Sequence, residues 1–308
     1  MPAAHEKFLA AAPGPRPGSV AVVTDSGATL PPDAARSGYL TVVPLRLLAG
    51  DLVADDGDHG SAAAIEAAVA RGERLTTARP PPGRFAAAYR AAADAGADAV
   101  VSIHLSRLLS GTLSSAALAA ASAPIPVRVI DARSIGTGLG LVVLAAAAAA
   151  LAGQGLGEAA TAATSHADLV GSFFALDQPD ALLVGGRLPT APLASKDPPG
   201  VRLVSRPVLR IQDGQVTTVE RVRTRTAAAD LLVRLALDMA ARLPAGRAVD
   251  VAVEHTSAPA RAADLADRLA AAMPRVARSY VVQSSAAIMA HTGLGMLGVS
   301  VAPHPTDR

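Results

Sequence analysis

The sequence predicts an α/β protein in two parts: an N-terminal parallel-sheet α/β domain and a C-terminal α+β domain containing antiparallel strands. Three observations carry that prediction. Short, continuously apolar runs alternate with helix-like segments through the first half, the pattern of parallel strands covered on both faces. After a Gly-rich joint, GQGLGE at Gly153 to Glu158, the texture changes to alternating strands around an Asp-Gly pair. The 308 residues are enough for two such units.

In chain order, residues 1–18 end in PGPRPG and read as a loose tail. SVAVVTDSG is the first strand, released abruptly into polar residues, and LPPDAARSG supplies the Pro and acid of a helix start. YLTVVPLRLLAG is a second strand, with Pro44 arguing for an edge or an end. A polar segment, DLVADDGDHGSA, leads to the helix AAAIEAAVARGE, and the loop TTARPPPG precedes the helix RFAAAYRAAADAG. DAVVSIHL is a strand that runs through a turn rich in Ser and Thr into another helix, and PVRVIDARS is the next strand. LGLVVLAAAAAALA, Leu139 to Ala152, is an apolar run 14 residues long. A membrane span needs about 20, so this is a buried core helix. Domains over 19–153 and 154–308 follow, the second holding the hairpin RPVLRIQDGQVTTVERV, the strands VDVAVEHTSAP and RSYVVQSSA, and the helix ARAADLADRLAAAM between them.

Composition narrows the function classes. At 51% hydrophobic and 2% aromatic residues, the interior is Ala, Val and Leu. The net charge of +2, 28 basic minus 26 acidic residues, does not call for nucleic acid or a membrane surface. Absence of cysteine removes disulfides, thiolate metal sites and cysteine nucleophiles, and fits a cytoplasmic protein. MPAAHEKFLAAAPGPRPGS lacks the basic start and long apolar centre of a signal peptide, so no stable membrane insertion is expected.

In an open α/β sheet the site lies outside the carboxyl ends of the strands. Three predicted strands release polar residues there: Thr24-Asp25-Ser26, Ser106 to Thr112, and Asp131 to Ser134. Ser110-Gly111-Thr112 opens a helix, so Ser110 is either a plain N-cap or part of an anion site built from free N–H groups and hydroxyls. Thr77, in the stiff loop before Pro80, is either linker or a hydroxyl held in one place. His291 is either a satisfied core histidine or a donor to the same anion. HTGLGMLGVS contains G-x-G without a dinucleotide-binding context, and DDGDHG lacks the calcium-loop spacing, so no cofactor or metal is expected. A serine acyl hydrolase, or another acyl or phosphoryl enzyme, using Ser110 and His291 with Asp25 or Asp131 is the alternative, although L-L-S-G-T is not a nucleophile elbow. Arg187 and the run Arg202, Arg206, Arg210, Arg221, Arg223 and Arg225 are either a solvated face or a docking surface for a phosphate-bearing partner.

Eight segments in order resemble one family, the DegV family of bacterial fatty-acid-binding proteins: VVTDSGATLPPDAA, LTVVPLRLLAGD, TTARPPPGRF, VVSIHLSRLLSGTLSSA, VRVIDARSIGTGLG, VGGRLP, RPVLRIQDGQVTTVERVRTR and HTGLGMLGV. They cover nearly the whole chain. The resemblance implies a non-catalytic carrier that encloses one long-chain fatty acid between its domains and can present the carboxylate to a fatty acid kinase for acyl phosphate formation. By position it implies Thr77, Ser110 and His291 on the carboxylate, with Gly111 and Thr112 in the same turn, and Asp25, Ser26 and Arg79 behind them. Arg187, Arg206, Arg223 and Arg225 match basic positions that would meet the kinase. Burying a C16 tail at about 0.8 kcal/mol per CH2 gives on the order of 12 kcal/mol gross, so tail outweighs head in affinity. The chain departs from the family where Ala78-Arg79-Pro80-Pro81 replaces the usual Ser-Gln-Pro-Ser, at Thr29 and Arg206, and in the Pro-rich PLASKDPPG.

Overall fold

A computed structural model of the chain describes residues 18–35, 38–58, 67–68, 71, 73–177 and 205–305. Nearly all of the expected tail, most of the helix AAAIEAAVARGE, Arg187, Arg202 and PLASKDPPG lie outside the described residues.

The first sheet is parallel, as the continuous apolar runs require. Its strands are β1 (Ser19–Asp25), β2 (Leu40–Val43), β6 (Ala97–His104) and β7 (Val127–Asp131), in the order β2-β1-β6-β7. Register pairs Thr24 with Val42 on one side and with Ile103 on the other, which brings the ends of β1 and β6 together. Alternate residues serve opposite faces. Ala21, Val23 and Val100 pack with Phe85, Tyr89 and Ala116 of the helices Pro82–Asp94 and Thr112–Ala120. Val20, Val22, Val101 and Ile103 pack against the helices Thr137–Leu151 and Leu156–Leu169.

Pro44 does end a strand, but the run around it is two strands rather than one. β2 stops at Val43, and β3 (Arg46–Ala49) joins a separate antiparallel sheet with β4 (Leu52–Asp55) and β5 (Leu75–Ala78), in the order β4-β3-β5. A missing N–H at Pro44 breaks the ladder and lets the chain change sheets. The expected loop at Thr76-Thr77 is likewise strand, because the β-branched pair is matched to Leu48 and Leu47 across the ladder.

The second sheet is mixed, in the order β10-β9-β8-β13-β11-β12. It contains the expected hairpin, β9 (Arg206–Gln212) and β10 (Gln215–Val222), and the parallel pair β11 (Val249–His255) and β12 (Val276–Gln283). At the hairpin turn Asp213 and Gly214 both have positive φ, 51° and 81°, the conformation that matches strand twist in a two-residue loop. Two strands of this sheet escape the sequence reading, β8 (Gly171–Ala175) and β13 (Leu297–Pro303), as does β4 in the segment expected to be polar connection. β8 and β13 are short and punctuated by Gly or Pro, yet β13 runs in mid-sheet, paired to β8 and β11.

Thr137–Leu151 lies between the two sheets, in one core cluster with Val22 of the first and Ala252 and Ala302 of the second. Burial on every side explains a helix apolar all round. Glycine permits the close approach: a Cβ on Gly140 would stand 2.5 Å from the Thr29 carbonyl oxygen. On its other face the second sheet is covered by the helices Arg225–Arg242 and Pro259–Ala272.

Candidate functional site

The segments that leave the carboxyl ends of β6 and β7 open onto a cavity of about 280 Å³. β5, the turns after β6 and β7, β8, the hairpin, Glu254 of β11 and the short helix Ala286–Thr292 contribute to its walls. Most of the lining is apolar, including Leu45, Leu105, Phe173, Phe174, Ile211 and Met296. Polar groups enter at few points: Thr77, Arg79, Ser110, His291 and Thr292, and separately Ser172 and Glu254.

Thr77 and His291 are joined directly, Oγ1 to Nε2, at 2.8 Å. They are 214 residues apart in sequence and meet because the helix Ala286–Thr292 of the second half packs on the small antiparallel sheet of the first. That helix is fastened from below. Asp56 accepts from the Ala287 N–H at 3.4 Å and from the Ser26 hydroxyl at 2.7 Å, while Ser26 Oγ accepts from the Leu45 N–H at 2.9 Å. Burial pushes the Asp56 carboxyl up, and its hydrogen bonds, Ser26 first, pull against that shift. Ser26 thus stands behind the cavity wall, through Leu45.

Ser110 is a wall residue, but it is not the N-cap the sequence suggests. Gly111 occupies that position, and Ser110 Oγ sits 2.8 Å from Thr112 Oγ1 and accepts weakly from the Thr112 N–H at 3.3 Å. Thr112 is fully buried beneath Ser110 and does not line the cavity. Arg79 lies exposed at the rim against Gly111, where a Cβ would stand 2.5 Å from Nη1. A side chain at this position would have to displace that exposed guanidinium.

The crowd of hydroxyls in the turn divides into separate tasks. Ser102 belongs to a buried chain: Asp25 Oδ2 is 2.9 Å from His104 Nδ1, His104 Nε2 is 2.7 Å from Ser102 Oγ, and Ser102 Oγ is 2.8 Å from the Tyr89 hydroxyl. Burial raises the Tyr89 phenol to about 12. Asp25 also accepts from the Gly27 and Leu105 N–H groups, so it braces Leu105, a wall residue, from behind. Ser106 donates to the Gly214 carbonyl at 2.7 Å and ties the hairpin tip to the turn.

A hydrolase needs its nucleophile bonded to its base and the base to an acid. Here Ser110 bonds Thr112, His291 bonds Thr77, and Asp25 bonds His104. The Asp25–His104–Ser102 chain has the order of a triad but no exposure at any of the three. Among the described residues no group of His, Asp and Glu is arranged to hold a metal ion. The acidic run near the site is otherwise engaged, Asp55 with Arg84 and Asp56 as above.

Glu254 was not singled out by the sequence reading. Its signal is an acid in a strand, VDVAVEH, that carries a second acid, Asp250, and His255 between its apolar residues. Oε1 accepts from the Thr137 N–H and hydroxyl, both at 3.2 Å, at the start of the long apolar helix, and Oε2 accepts from the Ser284 hydroxyl at 2.9 Å. Burial raises its carboxyl, opposed first by the Thr137 N–H.

Away from the cavity the arginines are less isolated than the sequence suggests. Asp177, just beyond β8, pairs with Arg206 at 3.1 Å, Arg225 at 2.9 Å and Arg261 at 3.1 Å. Three guanidiniums on one carboxylate leave a positive surplus. Arg223 is exposed, and its carbonyl accepts from Arg206 Nη1. No helix among the described residues is long and apolar enough to cross a membrane.

A family model described as "Uncharacterised protein, DegV family" matches residues 19–304. A DegV domain-containing protein of Streptomyces coelicolor is 42% identical over 282 residues, covering 92% of this chain and 98% of its own. One of Mycobacterium tuberculosis is 36% identical over 284 residues, covering 92% and 97%. Among solved structures, a DegV family protein from Thermus thermophilus, described by its fatty acid binding, superposes with a TM-score of 0.83 at 28% identity, covering 93% of this chain and 100% of that one. DegV of Bacillus subtilis, described as a fatty acid binding protein, gives 0.80 at 28% identity, covering 93% and 99%.

Proposed function

The chain belongs to the DegV family, and on that premise we propose that it is a carrier enclosing one long-chain fatty acid in the cavity beyond the ends of β6 and β7. The carrying observation is that one apolar cavity has, in its wall, two neutral hydroxyls and an imidazole drawn from three separate segments: Thr77, Ser110 and His291. A carboxylate leaving water must find donors, or its desolvation costs several kcal/mol. Thr77, Ser110 and His291 offer them, with the first N–H groups of Thr112–Ala120 nearby. Gly111 keeps that approach open, Thr112 orients Ser110, and Arg79 is a cation at the rim. Ser26 and Asp25 hold the wall from behind. Relatives described as fatty acid binding, with folds superposing over nearly the whole chain, support the same reading.

In this reading residues 19–153 and 154–308 are the two domains and the acid lies between them. The protein works in the cytoplasm without a cofactor and hands the carboxylate to a fatty acid kinase. Neutral donors suit that task, since they stabilise the charge and still leave an oxygen able to attack a phosphoryl group. Arg206, Arg225 and Arg223 form the described part of the kinase-facing surface, and Arg187 belongs to it by position. The test takes three proteins through two assays: binding of a long-chain acid, and kinase-dependent acyl phosphate formation. Thr77→Ala and Ser110→Ala should each weaken binding roughly tenfold, the value of a hydrogen bond to a charged group. Arg225→Glu should leave binding intact and lower transfer. Full binding in both hydroxyl variants sinks the site; unchanged transfer in Arg225→Glu sinks the partner surface.

A further inference from the structure

Among the described residues that line the cavity, Glu254 is the only acid, and none of its hydrogen-bond partners is a cation. The fold makes specific room for it. A Cβ on Gly136, where φ is +65°, would stand 2.3 Å from Oε1, and one on Gly298, its partner across the ladder, 2.8 Å from Cγ. Around it runs a connected set of hydroxyls. Thr137 Oγ1 is 2.9 Å from Ser300 Oγ, and Ser300 Oγ is 3.0 Å from Ser172 Oγ. Ser172 lines the cavity too. Thr29 adds a buried hydroxyl near the same carboxyl that falls short of hydrogen-bond geometry.

A plain hydrocarbon tail does not need this wall. A carboxylate has about four acceptor sites, and three donors reach Glu254. Methylene groups laid over the remaining edge would strand an acceptor in a dry cavity. An ammonium is a poor fit, since the remaining wall is mostly apolar and would desolvate it. A hydroxyl fits either protonation state, because it donates to a carboxylate and accepts from a carboxylic acid.

We propose that the preferred ligand is an acyl chain bearing a hydroxyl group, and that Glu254, with Ser172 beside it, is the specificity-determining residue that recognises this hydroxyl. The proposal rests on the cavity being the acyl site. Displacement of a fluorescent fatty acid tests both, using stearic acid and a series of C18 acids hydroxylated at successive chain positions. Wild type should bind at least one hydroxylated acid about tenfold more tightly than stearic acid, the increment of one hydrogen bond to a charged group. Glu254→Leu should bring the ratio of affinities for the hydroxylated acid and stearic acid to about one, whatever its effect on both, and Glu254→Gln, which keeps a polar group, should retain part of the preference. A wild type that favours no hydroxylated acid overturns the proposal and leaves the carrier reading intact. A preference that survives Glu254→Leu overturns the role of Glu254. If no acid of either kind displaces the probe, both readings fall.

Discussion

Burying Glu254 without a cation sets up a measurable conflict at the level of one residue. Its folded carboxyl is raised above the ordinary 4.5, so the folded state keeps its proton at pH values where the unfolded chain has lost it. The sign follows directly: this contribution to stability is fully present below about pH 4.5 and is lost as pH rises through the folded value. Glu254→Gln removes the titration. The variant should therefore gain stability relative to wild type as pH rises from about 4 to 8, in denaturant melts at each pH. A constant difference across that range would mean that the carboxyl titrates as it does in the unfolded chain. Thr77 and Ser110 could be named beforehand only as candidates, beside a Pro-rich segment and at a strand-to-helix junction, and the structure puts Thr77 on β5 and Ser110 one residue before the N-cap. Glu254 was not among them, since it shares its strand with Asp250 and either acid is equally an exposed position until the neighbours of that strand are known.

Elements were legible where local chemistry decides them. Asp213-Gly214 has the residues a two-residue turn demands, and the hairpin forms about it. Its docking on the first sheet depends on Ser106, whose hydroxyl is the donor to the Gly214 carbonyl. Ser106→Ala should cost about 1–2 kcal/mol, the price of a buried carbonyl left unpaired. Faster amide exchange confined to the hairpin tip would mark the loss; unchanged exchange would show that the strands alone hold the tip. β8 and β13 were illegible for the converse reason. Their short sequences have weak local preference, and pairing on both sides of β13 overrides the Gly and Pro that argue against a strand.

Across the whole molecule, the helix Thr137–Leu151 is shared property. Leu144, 2% exposed, belongs to a core cluster that draws residues from both sheets. Leu144→Ala should cost about 2–5 kcal/mol and lower one common thermal transition rather than one of two. Separate transitions for the two halves would contradict a shared core. The chain by itself determined the class of fold, the burial of that helix, the hairpin and the hydroxyl-bearing segments, because periodicity, turn chemistry and composition act over a few residues at a time. Only the tertiary structure decided which segments meet. Thr77 finds His291 across 214 positions, Ser110 rests on Thr112 instead of capping a helix, and Glu254 becomes a wall of the cavity. Such meetings depend on sheet order, register and the helix layer between sheets, and those are set by long-range burial that no short stretch of sequence encodes.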